Sequence, residues 1–227
     1  MRRLFVRTAA AAAVLAVAST APAAAQIPTS GFEITPMVGY IFGGGFPTDG
    51  FTGVPAGKLN IDANIGYGIE VGYTPNGNTW FELTYMRQSS DVNFDPDAGT
   101  CADYPIIVNC TSSISTNYIH AGARWEFGQR NIKPFIGGGL GVTIFDPSAS
   151  NIGSNTDFSL SLEGGVRYMF GKGDKQRVGI RGTFRGWFSF VPNGQYAAWC
   201  GYYGCYAQES SSTVTQGEVS GGLVFVF

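Results

Sequence analysis

The chain has 227 residues, of which 33 are glycine, 14% are aromatic and only 13% are charged. So little charge beside so much glycine and aromatic surface excludes the usual highly charged class of disordered protein. A net charge of −2 excludes a nucleic-acid surface, and a single histidine excludes a histidine-rich metal site.

The first 25 residues read as a signal peptide. Arg2, Arg3 and Arg7 make a basic start, residues 9–18 form a short apolar core, and Ala23, Ala24 and Ala25 fit a small-residue cleavage site before Gln26. The apolar core is about half the roughly 20 residues that a spanning helix needs. Removing the three arginines from the 14 basic residues leaves 11 against 16 acids, a net charge of −5. Residues 26–227 hold no linker and read as one domain.

Eight strands are predicted, at 32–42, 61–73, 79–88, 114–127, 132–145, 158–170, 177–190 and 214–227. Each is long enough for a tilted strand to cross a membrane. The connections alternate. Short turns at 74–78, 128–131 and 171–176 separate long loops at 43–60, 89–113, 146–157 and 191–213, as in an outer-membrane barrel.

Period-2 patterning gives each strand an apolar and a polar face. At 61–73, Ile61, Ala63, Ile65, Tyr67, Ile69, Val71 and Tyr73 oppose Asp62, Asn64, Gly66, Gly68, Glu70 and Gly72. At 177–190, Val178, Ile180, Phe184, Phe188 and Phe190 oppose Arg177, Arg181, Thr183, Arg185 and Ser189. In the last strand, Val219, Leu223, Phe225 and Phe227 oppose Gln216, Glu218 and Ser220. A soluble ligand-binding barrel would need the reverse, with apolar residues inside. The fold class expected is therefore an all-β, eight-stranded, antiparallel up-and-down transmembrane barrel. Pro36 and Pro134 fall within strands, on the outward face, where a bulge or a frayed start is expected.

The signal peptide, the eight alternating strands, the run Lys133-Pro134-Phe135-Ile136-Gly137-Gly138-Gly139-Leu140-Gly141 and the terminal Phe227 resemble the OmpA-like family of small outer-membrane β-barrels. The resemblance covers residues 26–227. It implies a bacterial outer-membrane location after cleavage near Ala25, with membrane lipid and lipopolysaccharide as surroundings. It also implies that Phe225 and Phe227 form the signal read by the barrel-assembly machinery. The chain stops at the barrel, so no peptidoglycan-binding domain and no direct cell-wall tether are expected.

The inward set is charged. It contains Glu33, Asp62, Glu70, Glu82, Glu126, Glu163 and Glu218 against Arg124, Lys133, Arg167, Arg177, Arg181 and Arg185. An eight-stranded barrel is only wide enough for side chains to fill, so these groups should pair into a plug rather than line a channel. His120 alternates inward with Tyr118, Gly122 and Arg124. A lipid A-modifying hydrolase would need it beside a serine at the outer rim, so no catalytic residue and no enzyme is expected. No cofactor or metal is expected either.

Four cysteines fall in two close pairs, Cys101 with Cys110 and Cys200 with Cys205, each pair inside one long loop. An oxidising compartment favours disulfides, and pairing within each loop is the simplest of three arrangements. The fourth loop, rich in Tyr196, Trp199, Tyr202, Tyr203 and Tyr206, suits an adaptable contact surface for an external ligand. The function expected is structural, in a monomer that supports envelope integrity and presents stapled loops. A surface adhesin and a narrow channel for small solutes are the alternatives.

Overall fold

The computed structural model describes residues 30–48, 56–97, 99, 107–109, 111–128, 131–148, 153–171, 177–201 and 204–227. Residues 1–29 lie outside these, and with them the expected signal peptide and its cleavage site. The elements are β1 (Gly31–Phe42), β2 (Gly45–Thr48), β3 (Gly57–Ile61), β4 (Asn64–Thr74), β5 (Thr79–Pro96), β6 (Ile107–Asn109), β7 (Thr111–Glu126), β8 (Ile132–Pro147), β9 (Asn155–Met169), β10 (Val178–Gly201) and β11 (Gly204–Val226). Eight of them, β1, β4, β5, β7, β8, β9, β10 and β11, form a closed antiparallel barrel. Each pairs with the next, and β11 pairs back onto β1. Closure leaves the barrel with no free sheet edge, which is the condition for crossing lipid with strands.

The register fixes the shape. Following partners once round from Phe32 passes through Tyr73, Phe81, Ala123, Gly138, Leu162, Gly186 and Gly217, and returns to Phe42. The path comes back ten residues up the same strand, which tilts eight strands by about 40°. All nine residues on this path, three of them glycine, belong to the outward face, because partners in a ladder share a face. The outer wall is accordingly apolar, with Phe32, Ile34, Val38, Tyr67, Leu83, Ile136, Leu140, Leu162, Phe184 and Leu223 all exposed.

The three short connections lie at one end, beside the start of β1 and the end of β11. In the β4–β5 turn, the Asn76 side-chain oxygen accepts from the Thr79 and Asn78 backbone N–H groups at 2.8 and 3.1 Å. Gly77 has φ 76°, a left-handed conformation costly for any residue with a Cβ. Gly128 and Gly171 mark the other two turns with φ 98° and 93°.

The barrel departs from expectation in three ways. First, strand 61–73 is broken. Ile61 ends β3, and β4 starts at Asn64. Against β5, Ile61 pairs with Val92 while Gly66 pairs with Gln88, so one extra residue lies on the β3–β4 side. That single residue reverses the alternation. Ile61 is therefore buried rather than lipid-facing, and Asp62 is exposed at the rim, accepting from the Asn93 amide at 2.8 Å, instead of entering the lumen. Second, much of the expected loops 89–113 and 191–213 is ladder. β5 pairs with β7 up to Asn93, and β10 pairs with β11 as far as Gly201 with Gly204. Third, Arg177 is exposed at the β9–β10 turn and not luminal.

Neither proline makes a bulge. At Pro36 the β1–β11 pairing skips Thr35 and Pro36 and resumes at Met37 with Gly222 in unchanged register. The ladder with β4 runs on through Pro36. Proline lacks only the donor, so an uninterrupted strand can carry it with the loss of one bond. Pro134 pairs with Val166, lies just beyond the last β7–β8 pair, and accepts from the Phe127 N–H at 2.8 Å.

Candidate functional site

Inside the barrel, the inward parity of every strand collects the charges that alternation keeps off the lipid face. Six carboxylates, from Glu33, Glu70, Glu82, Glu126, Glu163 and Glu218, meet five cations, from Arg124, Lys133, Arg167, Arg181 and Arg185. Arg124 is the centre. Its guanidinium lies 2.7 Å from Glu82, 3.1 Å from Glu33, 3.3 Å from Glu126 and 3.4 Å from Glu70, with 0% of its side chain exposed. Below it, Arg167 bridges Glu33 and Glu126, and Lys133 reaches Glu126 at 3.4 Å. Above it, Arg181 bonds Glu70 and lies 3.4 Å from Glu82. Arg185 then joins Glu70 at 3.0 Å to Glu163, and lies 3.8 Å from Glu218.

Neutral side chains complete the cage. The Thr35 hydroxyl donates to Glu33 at 3.1 Å and Thr84 to Glu70 at 3.2 Å, while the Trp187 indole N–H donates to Glu218 at 2.9 Å. Trp80 faces Arg167 and Arg124 at 4.9 and 5.3 Å, Phe135 faces Arg124 and Arg181, and Trp187 faces Arg185 at 5.0 Å. Aromatic faces stabilise desolvated guanidinium groups that carboxylates alone would leave partly uncovered. Inward glycines make the room. The Phe135 ring lies where a Cβ on Gly165 would sit, 2.6 Å away, and Glu163 lies 2.9 Å from that of Gly137.

Toward the end with long connections, the charges give way to a plug. Tyr118 stacks on Trp187 with centroids 4.3 Å apart and donates to the Gln216 amide oxygen. Gln216 donates to Gln88 at 3.2 Å, and Gln88 donates to the Ile41 carbonyl at 3.2 Å. Met37, Ile41 and Met86 pack beside the two aromatic rings. Above these, Ser189 donates to Thr143 at 2.7 Å, with Ile114, Phe145, Val191 and Val214 buried. Sequence reasoning missed Trp187 and Gln88, although Trp187 shares the odd parity of Arg181 and Arg185 that marks it as luminal.

His120 is buried in the lumen. Its ring nitrogens lie 2.7 Å from the Ser159 hydroxyl and 3.1 Å from that of Ser161, and its edge meets Trp187. No carboxylate bonds to it among the described residues, and the barrel wall separates it from lipid. His120 therefore lacks the acid partner and the access to lipid that a lipid A-modifying hydrolase would need of it. Oxygens of Glu33, Glu70 and Glu82 lie within 4.8 Å of one another, a spacing that could hold a cation. Here the Arg124 and Arg181 guanidinium groups serve all three.

Cys101 and Cys110 lie outside the described residues. Cys200 and Cys205 are register partners on β10 and β11, near the end of that hairpin. Phe225 is half-buried, and Phe227 is exposed at the turn end with its N–H donating to the Phe32 carbonyl at 2.8 Å.

A closed barrel with an apolar exterior, an ionic interior and tight turns at one end defines an outer-membrane β-barrel protein. The chain belongs to the outer membrane protein beta-barrel domain family, whose model matches residues 10–190. That places it in the bacterial outer membrane. Among solved structures it is similar to the outer membrane protein OprG from Pseudomonas aeruginosa, at 14% identity and a TM-score of 0.59 over 88% of this chain and 96% of that one. It is also similar to the outer membrane protein AlkL (12%, TM-score 0.53, over 92% and 96%) and to Neisserial surface protein A (17%, TM-score 0.51, over 86% and 97%). At these identities the likeness is one of fold. No curated protein sequence matches it.

Proposed function

We propose that this protein is a non-conducting structural barrel of the outer membrane, which supports the envelope and carries an extended hairpin outward. The observation that carries this reading is the filled lumen. Inward side chains from Lys133 and Glu126 near the turns to Trp187, Gln216 and Phe145 at the other end are all buried. A continuous aqueous path would leave a file of these side chains wet. The test is single-channel conductance of the refolded chain in a planar bilayer, with folding checked by gel mobility. A silent bilayer is expected. Reproducible stepwise currents that change with Arg181→Ala or Glu218→Ala would overturn the reading and make the lumen a narrow solute channel.

A surface-contact role is the second reading. It is favoured by the β10–β11 hairpin, whose pairing continues from Phe190 with Thr213 to Gly201 with Gly204 and is flanked by β6. Cys200 opposite Cys205 suits a cross-strand disulfide that stiffens its tip, with Cys101 and Cys110 as a second pair. Peptide mapping without reductant tests both bridges, and loss of binding to host cells after replacing 196–206 by Gly and Ser tests the contact. Residues 1–25 act as a cleaved signal peptide in this reading, Phe225 and Phe227 as the assembly signal, and the protein works as a monomer without enzymatic activity.

A further inference from the structure

One strand breaks the apolar belt. The outward positions of β5 are Phe81, Leu83, Tyr85, Arg87 and Ser89. Those of β7 descend from Ser115 through Asn117, Ile119, Ala121 and Ala123 to Trp125. Arg87 pairs in register with Tyr67 of β4 on one side and Asn117 of β7 on the other. Among the described residues it is the one charged side chain that faces lipid within the height of the belt. Ten residues of shear around eight strands put it about 20 Å above the turn-end ring of Phe32, in a belt about 25 Å tall. That is just below the outer boundary, on the side of the long connections.

The group that Arg87 bonds is a hydroxyl and not a counter-ion. Its terminal nitrogen Nη2 donates to the Ser115 hydroxyl at 3.2 Å, and its Nε is buried without a partner. The Ser89 and Ser115 hydroxyls lie 3.3 Å apart. Tyr85 donates its hydroxyl to the Asn117 side-chain oxygen at 3.0 Å, which turns the Asn117 NH2 group away from Tyr85 as a further donor. No ion pair forms at Arg87 among the described residues; of the acids on this face, Asp146 is the exposed register partner of Ser115, and Asp91 accepts from Ser113 at 2.8 Å. A guanidinium with a single hydrogen-bond partner among the described residues, flanked by hydroxyl and amide groups at the lipid boundary, matches a phosphate oxygen in charge and donor geometry. Anionic headgroups at that depth give a lipid-facing cation its partner, whereas hydrocarbon would not. The leaflet on this side of an outer membrane is built of phosphorylated glycolipid.

We propose that Arg87, with Ser115 and Asn117, forms a site on the outer wall for a phosphate of the outer-leaflet glycolipid. The site lies outside the lumen and does not depend on whether the barrel conducts. Native mass spectrometry of the folded chain in detergent tests it. The probes are a bis-phosphorylated glucosamine lipid, its dephosphorylated form and phosphatidylglycerol. The phosphorylated glycolipid should bind wild type about tenfold more tightly than Arg87→Ala or Arg87→Gln, the scale of one charge-assisted bond, with Arg87→Lys between them. Gel mobility establishes that each variant is folded. Equal binding by wild type and Arg87→Ala, or equal binding of the dephosphorylated lipid, would overturn the site. The same Arg87 dependence with phosphatidylglycerol would overturn the glycolipid assignment in favour of a phospholipid.

Discussion

Replacing Arg124 by alanine should be the most damaging single change in the lumen. Arg124 lies within 3.4 Å of four carboxylates and is fully buried. At an effective dielectric of about 20, a unit pair 2.7 Å apart attracts by roughly 6 kcal/mol, most of it cancelled by desolvation. The variant, however, restores no hydration. It leaves Glu33, Glu70, Glu82 and Glu126 facing one another around a void, with Arg167, Arg181, Arg185 and Lys133 as the remaining cations near them. Breaking a buried pair in this one-sided way costs about 3–5 kcal/mol. With a urea dependence of about 2 kcal/mol per molar, the unfolding midpoint in detergent should fall by about 2 M.

Two further variants separate charge from packing. Arg124→Met fills most of the volume but leaves the carboxylates unpaired, so it should recover little. Adding Glu82→Gln to Arg124→Ala removes one stranded charge and should restore at least about 1 kcal/mol, a coupling expected of groups in direct contact. If Arg124→Ala unfolds within about 0.3 M of wild type, the ion pairs do not hold the barrel and the reasoning fails. If Arg124→Met is as stable as wild type, volume and not charge is what Arg124 supplies.

Leu162→Arg places a charge on the lipid face near mid-belt, where Leu162 is 64% exposed, and should cost about 2–4 kcal/mol in a lipid refolding titration. Ser113→Arg, on the same outer surface but above the belt, should cost less than about 1 kcal/mol. Gly165→Val drives a side chain into the Phe135 ring and the Gly182 carbonyl, and should lower stability by about 1–3 kcal/mol in urea titration. Trp187→Ala removes the ring over Arg185 and the donor to Glu218, and should cost about 3–5 kcal/mol by the same assay.

The barrel was legible in the sequence because lipid outside and charge inside force a period of two on every strand. That alternation put Glu33, Glu70, Glu82, Arg124, Glu126, Glu163, Arg167, Arg181, Arg185 and Glu218 on the inward face, and the fold brings these ten into one network. What alternation cannot give is register, so which acid meets which base was not readable. Nor could it locate the extra residue between Ile61 and Asn64, because a bulge changes parity without changing composition. The upper strands were hidden for a different reason. Above the membrane, Ser89, Asp91, Asn93, Thr111 and Ser113 face water on both composition and position, so they read as loop. The signal was present in Val92 and Phe94, which alternate with those polar residues and are buried.

The two ends of the lumen obey different physics, and this bears on why the protein needs both. The outer wall gains nothing from burial between strands, because lipid is as apolar as the residues facing it. Cohesion must therefore come from the closed ladder and from the interior. Ion pairs alone are a poor filler, since desolvation offsets most of their attraction and water entering at either end would screen them. Trp187 couples the two regions. Its ring stacks on Tyr118 in the plug, while its N–H holds Glu218 and its other contacts reach Arg185 in the network. Placing the aromatic and amide plug on the outer side keeps bulk water from the uppermost pair, Arg185 with Glu218, and so keeps the local dielectric low where the charges depend on it. The interior thus combines polar pairing, which fixes strand register, with a dry cap that makes the pairing worthwhile.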